Sequence, residues 1–217
     1  MSRDWWIIPT LALGLLAGLL GAAGMSWRRP EPHRPWTRPG CYAVALVFLA
    51  GVAGVGPIWD GLLRRRNQDL CQRHLIQLAF SLLLYAQDYD ERFPPAWAWC
   101  DAAEPTLPSA ESFHCPADRP ERRYSYAANR AVGLQPCAAV SRVVLLFESD
   151  QGVRNAHGGQ ERLAPATRHN PFHLGGLGLF RPNPAYSGHF FAFGDGQVKW
   201  LTPAERQAAG AALWEVP

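Results

Sequence analysis

The residues best equipped for chemistry are sulfur and imidazole groups. Cys71 stands three residues before His74, His114 adjoins Cys115, and His157, His169, His173 and His189 form a later group. Thiolate and neutral imidazole are the ligand types zinc prefers, and His169 and His173 have a ligand-like separation. Against a metal centre stand the lack of any Cys-x-x-Cys pair, and Pro171, which makes the stretch between His169 and His173 a loop rather than a helix. Ser149, Asp150 and His157 are the residue types of a hydrolase triad, but no Gly-x-Ser-x-Gly elbow accompanies them. Asp88, Asp90 and Glu91 offer hard oxygen ligands without the glycine-bearing loop that calcium uses. Gly175-Gly176-Leu177-Gly178 lacks the phosphate-loop pattern. The expectation is therefore no catalytic residue, no cofactor, no metal site and no small-molecule substrate. The alternative is a membrane-tethered metal-binding domain or enzyme built on the histidines of 157–189.

Cys71, Cys100, Cys115 and Cys137 make an even set of candidate disulfide cysteines, and four cysteines permit three pairings among which sequence does not choose. The elements that must position these side chains are legible from periodicity. From Cys71, the residues Leu75, Leu78, Leu82, Tyr85 and Tyr89 alternate steps of four and three, predicting one apolar stripe along a helix. Pro94-Pro95 must stop that helix. Residues 94–123 are too broken by proline for long elements, and strands are predicted at 124–127, 142–147, 189–193 and 197–201. Gly194-Asp195-Gly196 supplies a tight hairpin turn between the last two. Thr202-Pro203-Ala204-Glu205 has capping-box spacing with proline at the first helical position, so a short helix is predicted after it.

Upstream lie two uncharged apolar runs, Trp5 to Trp27 and Cys41 to Trp59. About 20 apolar residues cross a bilayer, so a hairpin of two transmembrane helices is expected, at about 5–27 and 41–63. Arg28, Arg29, Arg34 and Arg38 between them favour a cytoplasmic loop with both ends outside. The rival reading makes residues 1–24 a cleaved signal peptide, with Gly21-Ala22-Ala23-Gly24 as the processing site and the C-terminal domain inside. Residues 1–66 hold 8 of the 21 basic and 3 of the 18 acidic residues, a net +5, which leaves −2 for 67–217. The basic character thus belongs to the membrane segment. With Lys199 the single lysine and no basic stripe in 67–217, nucleic acid is not an expected partner. The division expected is an anchor, 1–66, and one soluble domain, 67–217.

Several motifs occur in a fixed order: Cys71-Gln72-Arg73-His74-Leu75 running to Asp88-Tyr89-Asp90-Glu91-Arg92-Phe93-Pro94, then Phe113-His114-Cys115-Pro116, then Tyr124-Ser125-Tyr126-Ala127-Ala128-Asn129, and last Asp195-Gly196 within 193–201. Over roughly residues 45–201 the set resembles bacterial prepilin-type, pseudopilin-like proteins whose C-terminal signature is His, nine residues, then Asp-Gly. The residues that carry it are Cys71, Asp88, Asp90, Cys115, Pro116, Asn129, Asp195 and Gly196. The resemblance implies an α+β fold in which a long N-terminal helix packs on an antiparallel sheet. It further implies a structural or interaction protein at the bacterial inner membrane, its C-terminal domain extracytoplasmic, working with the lipid bilayer and other envelope or pilin-like proteins. Two departures stand out. The prepilin processing site is absent before Cys41, and Ala185 occupies the position of the signature histidine, for which Arg168-His169-Asn170 is the displaced equivalent.

Overall fold

The computed structural model describes residues 37–169 and 187–216, with side chains from Gly61 onward. The chain divides into two compact units, 1–59 and 60–217. Of the first, only the helical backbone of residues 37–59 is described, and the second carries the fold treated below. The expected span 5–27 lies outside the described residues, and of 41–63 the backbone is helical. Among the described residues no helix is long and apolar enough to cross a membrane.

Helix α1 runs from Thr37 to Asp88 over 52 residues. From Gly61 onward its buried apolar positions are Cys71, Leu75, Leu78, Ala79, Leu82 and Ala86, at helical spacing on one face. The stripe predicted from sequence departs from this at its end. Tyr85 lies at the margin and Tyr89, beyond the last helical residue, is exposed; the two rings stack on each other at 4.1 Å instead of entering the core. The helix ends where Asp90 and Glu91 take positive φ, 53° and 56°, and Glu91 N–H turns back to the Ala86 carbonyl at 2.9 Å. Asp88 and Asp90 are exposed there.

The residues between Pro94 and Tyr124 form short helical turns, among them α2, Trp99–Ala103. Five strands follow: β1 Tyr126–Asn129, β2 Val144–Glu148, β3 His157–Gly158, β4 His189–Phe193 and β5 Val198–Leu201. The sheet order is β3-β1-β2-β4-β5. The architecture is α+β as expected, but the sheet is mixed: β1–β2, β2–β4 and β4–β5 pair antiparallel, while β3 joins the free edge of β1 in parallel. Two-residue β3 has no hydrophobic alternation to announce it. It reaches β1 because the chain leaving β2 reverses at Gly152 and Asn155, both at positive φ.

β1, β2 and β4 are buried on both faces. One face, with Tyr126, Ala128, Leu146, Phe190 and Ala192, packs on α1. The other, with Ala127, Val144, Phe147, Phe191 and Phe193, is covered by Leu213 and Trp214. A bulge between Val144 and Leu146 resets the alternation, so that Leu146 and Glu148 face the helix and Phe147 faces away. Asn129 locks both layers at the end of β1, donating from Nδ2 to the carbonyls of Val144 (2.9 Å) and Trp214 (3.0 Å) while its Oδ1 accepts from Ala131 N–H (3.1 Å). After β5, Thr202 and Glu205 form the predicted capping box and start α3, Pro203–Ala209.

The β4–β5 turn is the Gly-Asp-Gly hairpin predicted from sequence. Gly196 adopts φ +82°, and Asp195 accepts Gln197 N–H at 2.9 Å. Gly194 is needed for a different reason, since a Cβ there would stand 2.2 Å from the Val140 carbonyl oxygen, a backbone atom that cannot move aside. Gly194→Ala is expected to lose about 1–3 kcal/mol from overpacking, read as a lower denaturant midpoint at unchanged slope; an unaltered midpoint would show the turn free to lift off residues 140–143.

Candidate functional site

Four segments bring chemistry-bearing side chains to one buried point. Cys71 comes from α1, Cys115 from the turn after Phe113, Glu148 from the end of β2 and His169 from the stretch preceding β4. All four are at most 1% exposed, and their ligand atoms lie within 4.8 Å of one another. Hydrogen bonds hold the segments in place. His74 Nδ1 donates to the His114 carbonyl at 2.8 Å, and Ser112 Oγ donates to Gln77 Oε1 at 2.8 Å, tying the Cys115 turn to α1. Arg168 donates to the carbonyls of Ser125 (3.2 Å) and Ser149 (2.8 Å) and pairs with Asp118 at 3.4 Å, which sets His169 beside the sheet.

Glu148 Oε1 is the focus of the cluster. It faces His169 Nε2 at 2.5 Å, and the thiols of Cys71 and Cys115 point at it from 3.2 and 3.7 Å. Its other oxygen accepts the Phe190 amide at 2.9 Å. Cys115 Sγ is also 3.9 Å from His169 Nε2, and Cys71 Sγ is 3.2 Å from the hydroxyl of Tyr126, which sits opposite Glu148 in the β1–β2 register. The rings of Phe190 and Trp200 meet the imidazole edge-on at 5.5 and 5.6 Å; its Nδ1 has no hydrogen-bond partner.

Burial opposes charge on both members of the central pair, yet their mutual attraction prevails. The carboxyl of Glu148, raised by burial, is brought down to about 2 by the charge and hydrogen bond of His169, with Arg168 and the Phe190 amide assisting. His169, lowered by burial, is lifted to about 10 by the Glu148 charge and its hydrogen bonds to Cys115 and Glu148. The pair is thus an imidazolium–carboxylate ion pair in the core. The thiols diverge: burial, then Cys115 and Glu148, push Cys71 well up, whereas hydrogen bonds from Cys71 and His169 overcome burial and bring Cys115 down.

The remaining residues singled out from sequence do not meet here. His189 donates from Nε2 to the Ala164 carbonyl, 2.7 Å away, on the face of β4 that carries Phe191, opposite the cluster. His157 is exposed and bonded through Nδ1 to the Asn155 carbonyl, and His173 lies outside the described residues. The three described histidines of 157–189 therefore do not converge. Ser149 gives its hydroxyl to the Arg162 carbonyl at 2.7 Å, which removes it as a nucleophile poised on His157. Cys71, Cys100, Cys115 and Cys137 are all free thiols in the structure, and Cys100, pushed up to about 12 by burial, belongs to another site. There its amide donates to Asn155 Oδ1 at 2.7 Å, while Arg154 bridges Asp101 and Glu104. The two loop regions expected to offer binding surface, 94–123 and 151–184, are thus partly bound to each other.

Glu148 is the member that sequence reasoning missed. The signal available was a charged residue closing the apolar run Val143-Val144-Leu145-Leu146-Phe147. As donors, two sulfurs, one imidazole nitrogen and one carboxylate oxygen suit a borderline-soft divalent metal; as bare groups they form a buried polar network that joins helix to sheet. Set against family models, curated proteins and solved structures, the chain matches none.

Proposed function

We propose that this chain is a membrane-anchored, pilin-like structural or interaction protein of the bacterial cell envelope, working alongside a secretion or pilus-like system and without catalytic activity. The anchor comprises residues 1–66, with spans near 5–27 and 41–63, and the domain 67–217 lies outside the cytoplasm. The observation that carries this reading is the 52-residue helix whose C-terminal turns are built into a sheet domain. The cavity lined by Leu82, Phe93, Trp99 and Val132, between helix and sheet, holds about 10 Å³, room for a single water. Ile76 and Phe80, one turn apart on α1 and 44% and 60% exposed, offer an apolar contact surface to another envelope protein.

Topology tests the reading. A reporter active only outside the cytoplasm, fused after Pro217, is expected to give signal, and one active only inside is expected to be silent. The reverse pattern would place the domain in the cytoplasm and replace the anchor with the signal-peptide reading of residues 1–24.

A further inference from the structure

We propose that Cys71, Cys115, Glu148 and His169 form a closed structural zinc site, a single Zn²⁺ held by two thiolates, one imidazole nitrogen and one carboxylate oxygen. The inference is independent of which side of a membrane the domain occupies. Its first support is the donor set, since zinc takes sulfur, nitrogen and oxygen ligands together, whereas calcium and magnesium require oxygen. Its second is spacing. Zinc–ligand bonds of about 2.0–2.3 Å in a tetrahedron put neighbouring ligand atoms about 3.3–3.8 Å apart. Cys71 Sγ to Glu148 Oε1 is 3.2 Å, Cys115 Sγ to Glu148 Oε1 is 3.7 Å and Cys115 Sγ to His169 Nε2 is 3.9 Å. Of these four edges the one from His169 to Glu148, 2.5 Å and closed by a hydrogen bond, departs furthest and has to open by about 0.8 Å, while the edges from Cys71 to Cys115 and to His169 lie within 4.8 Å.

The third support is convergence. Two thiols and an imidazole all aim at one carboxylate oxygen, which is where a shared cation draws its ligands. Zn²⁺ would replace the protons at that focus: both thiol protons and the imidazolium Nε2 proton pass to solvent, the hydrogen bonds to Glu148 Oε1 give way to one Zn–O bond, two Zn–S bonds and one Zn–N bond form, and no oxidant or reductant is involved. The surroundings already supply outer contacts. Phe190 N–H fixes the second oxygen of Glu148 and the Tyr126 hydroxyl reaches Cys71, while His169 Nδ1 is the one outer position without a hydrogen-bond partner. With four protein ligands at most 1% exposed, no position is left for a substrate or a reactive water, so the metal would act by joining α1, the 113–118 turn, β2 and the 168–169 stretch. The metal would enter as the domain folds, since the finished site is sealed.

The test uses the full chain purified in detergent without chelator. Elemental analysis is expected to find about one zinc per chain, and the chain unfolded with chelator and refolded with Co²⁺ should show the visible absorption of a tetrahedral, thiolate-bound ion. Zinc at a hundredfold excess over its dissociation constant should raise the melting temperature by about 5–10 °C. Cys115→Ser and His169→Ala should abolish the cobalt spectrum, whereas Cys100→Ser and Cys137→Ser should keep it; where a ligand variant fails to fold, the wild-type spectrum alone decides. A folded, metal-free chain that takes up no zinc while Cys71 and Cys115 alkylate freely would overturn the site. So would a Cys71–Cys115 disulfide, seen as a loss of two hydrogens in the intact mass.

Discussion

Glu148→Ala is expected to cost about 3–5 kcal/mol of domain stability, because removing one partner of a buried ion pair strands the other. The side chain is fully buried, and its two oxygens serve His169, both thiols and the Phe190 amide. Truncation therefore leaves an imidazole, two thiols and a backbone donor facing a void. Measured on metal-free protein, the loss reads the bare cluster and appears as a lower denaturant midpoint with the slope unchanged. Glu148→Gln, which keeps the shape and an acceptor for the Phe190 amide, should lose less. The double change Glu148→Leu with His169→Leu should recover part of the loss, since a matched apolar pair carries no desolvation penalty. Wild-type stability in Glu148→Ala would mean that water enters the cluster and that it is not a closed core.

Trp99→Ala is expected to cost a comparable amount, about 3–5 kcal/mol. Trp99 is 1% exposed, meets Phe113 edge-on at 5.7 Å and donates from Nε1 to the Ala156 carbonyl at 2.8 Å. That carbonyl also accepts Ala128 N–H, at 2.9 Å, just before β3. Trp99 consequently supports the edge of the sheet as well as filling the core. Trp99→Phe should lose only about 0.5–1.5 kcal/mol beyond its smaller volume, because the Ala156 oxygen keeps its other partner. In Trp99→Ala the amides of Ala128 and Arg130, the latter bonded to the Gly158 carbonyl at 2.9 Å, should exchange hydrogen faster than the rest of β1. Uniform acceleration over the whole sheet would show instead that the edge and the core open together.

Local signals carried much of the fold. The 3.6-residue period of α1, the Gly-Asp-Gly turn and the Thr202–Glu205 capping box all depend on residues a few positions apart, and each appears where the sequence placed it. The failures have a common physical origin. Strand β3 has two residues and exists only because β1 offers an unpaired edge, and Tyr89 left the stripe because the helix ended one residue earlier. The cluster shows the same limit more sharply. Cys71, Cys115 and His169 each stood out by type, but the contact from Cys71 to Glu148 spans 77 positions, and the one from Cys115 to His169 spans 54. Nothing local in the sequence requires those residues to meet. Glu148 escaped notice because it reads as the polar end of a strand, and its inward direction depends on the bulge after Val144.

The spread of the cluster along the chain gives the domain a history. Of the domain's residues, a ribosome releases Cys71 first, then Cys100, Cys115 and Cys137, and only later Glu148 and His169. Before those groups arrive, the four thiols of the domain coexist on a chain that lacks what will hold two of them, and an oxidant arriving then can join the wrong pair. Once His169 is in place, the sulfurs of Cys71 and Cys115 disappear from solvent. The hazard to this domain is thus one of timing: the faster the chain from Cys115 to His169 is made and gathered in, the larger the fraction of molecules that matures correctly.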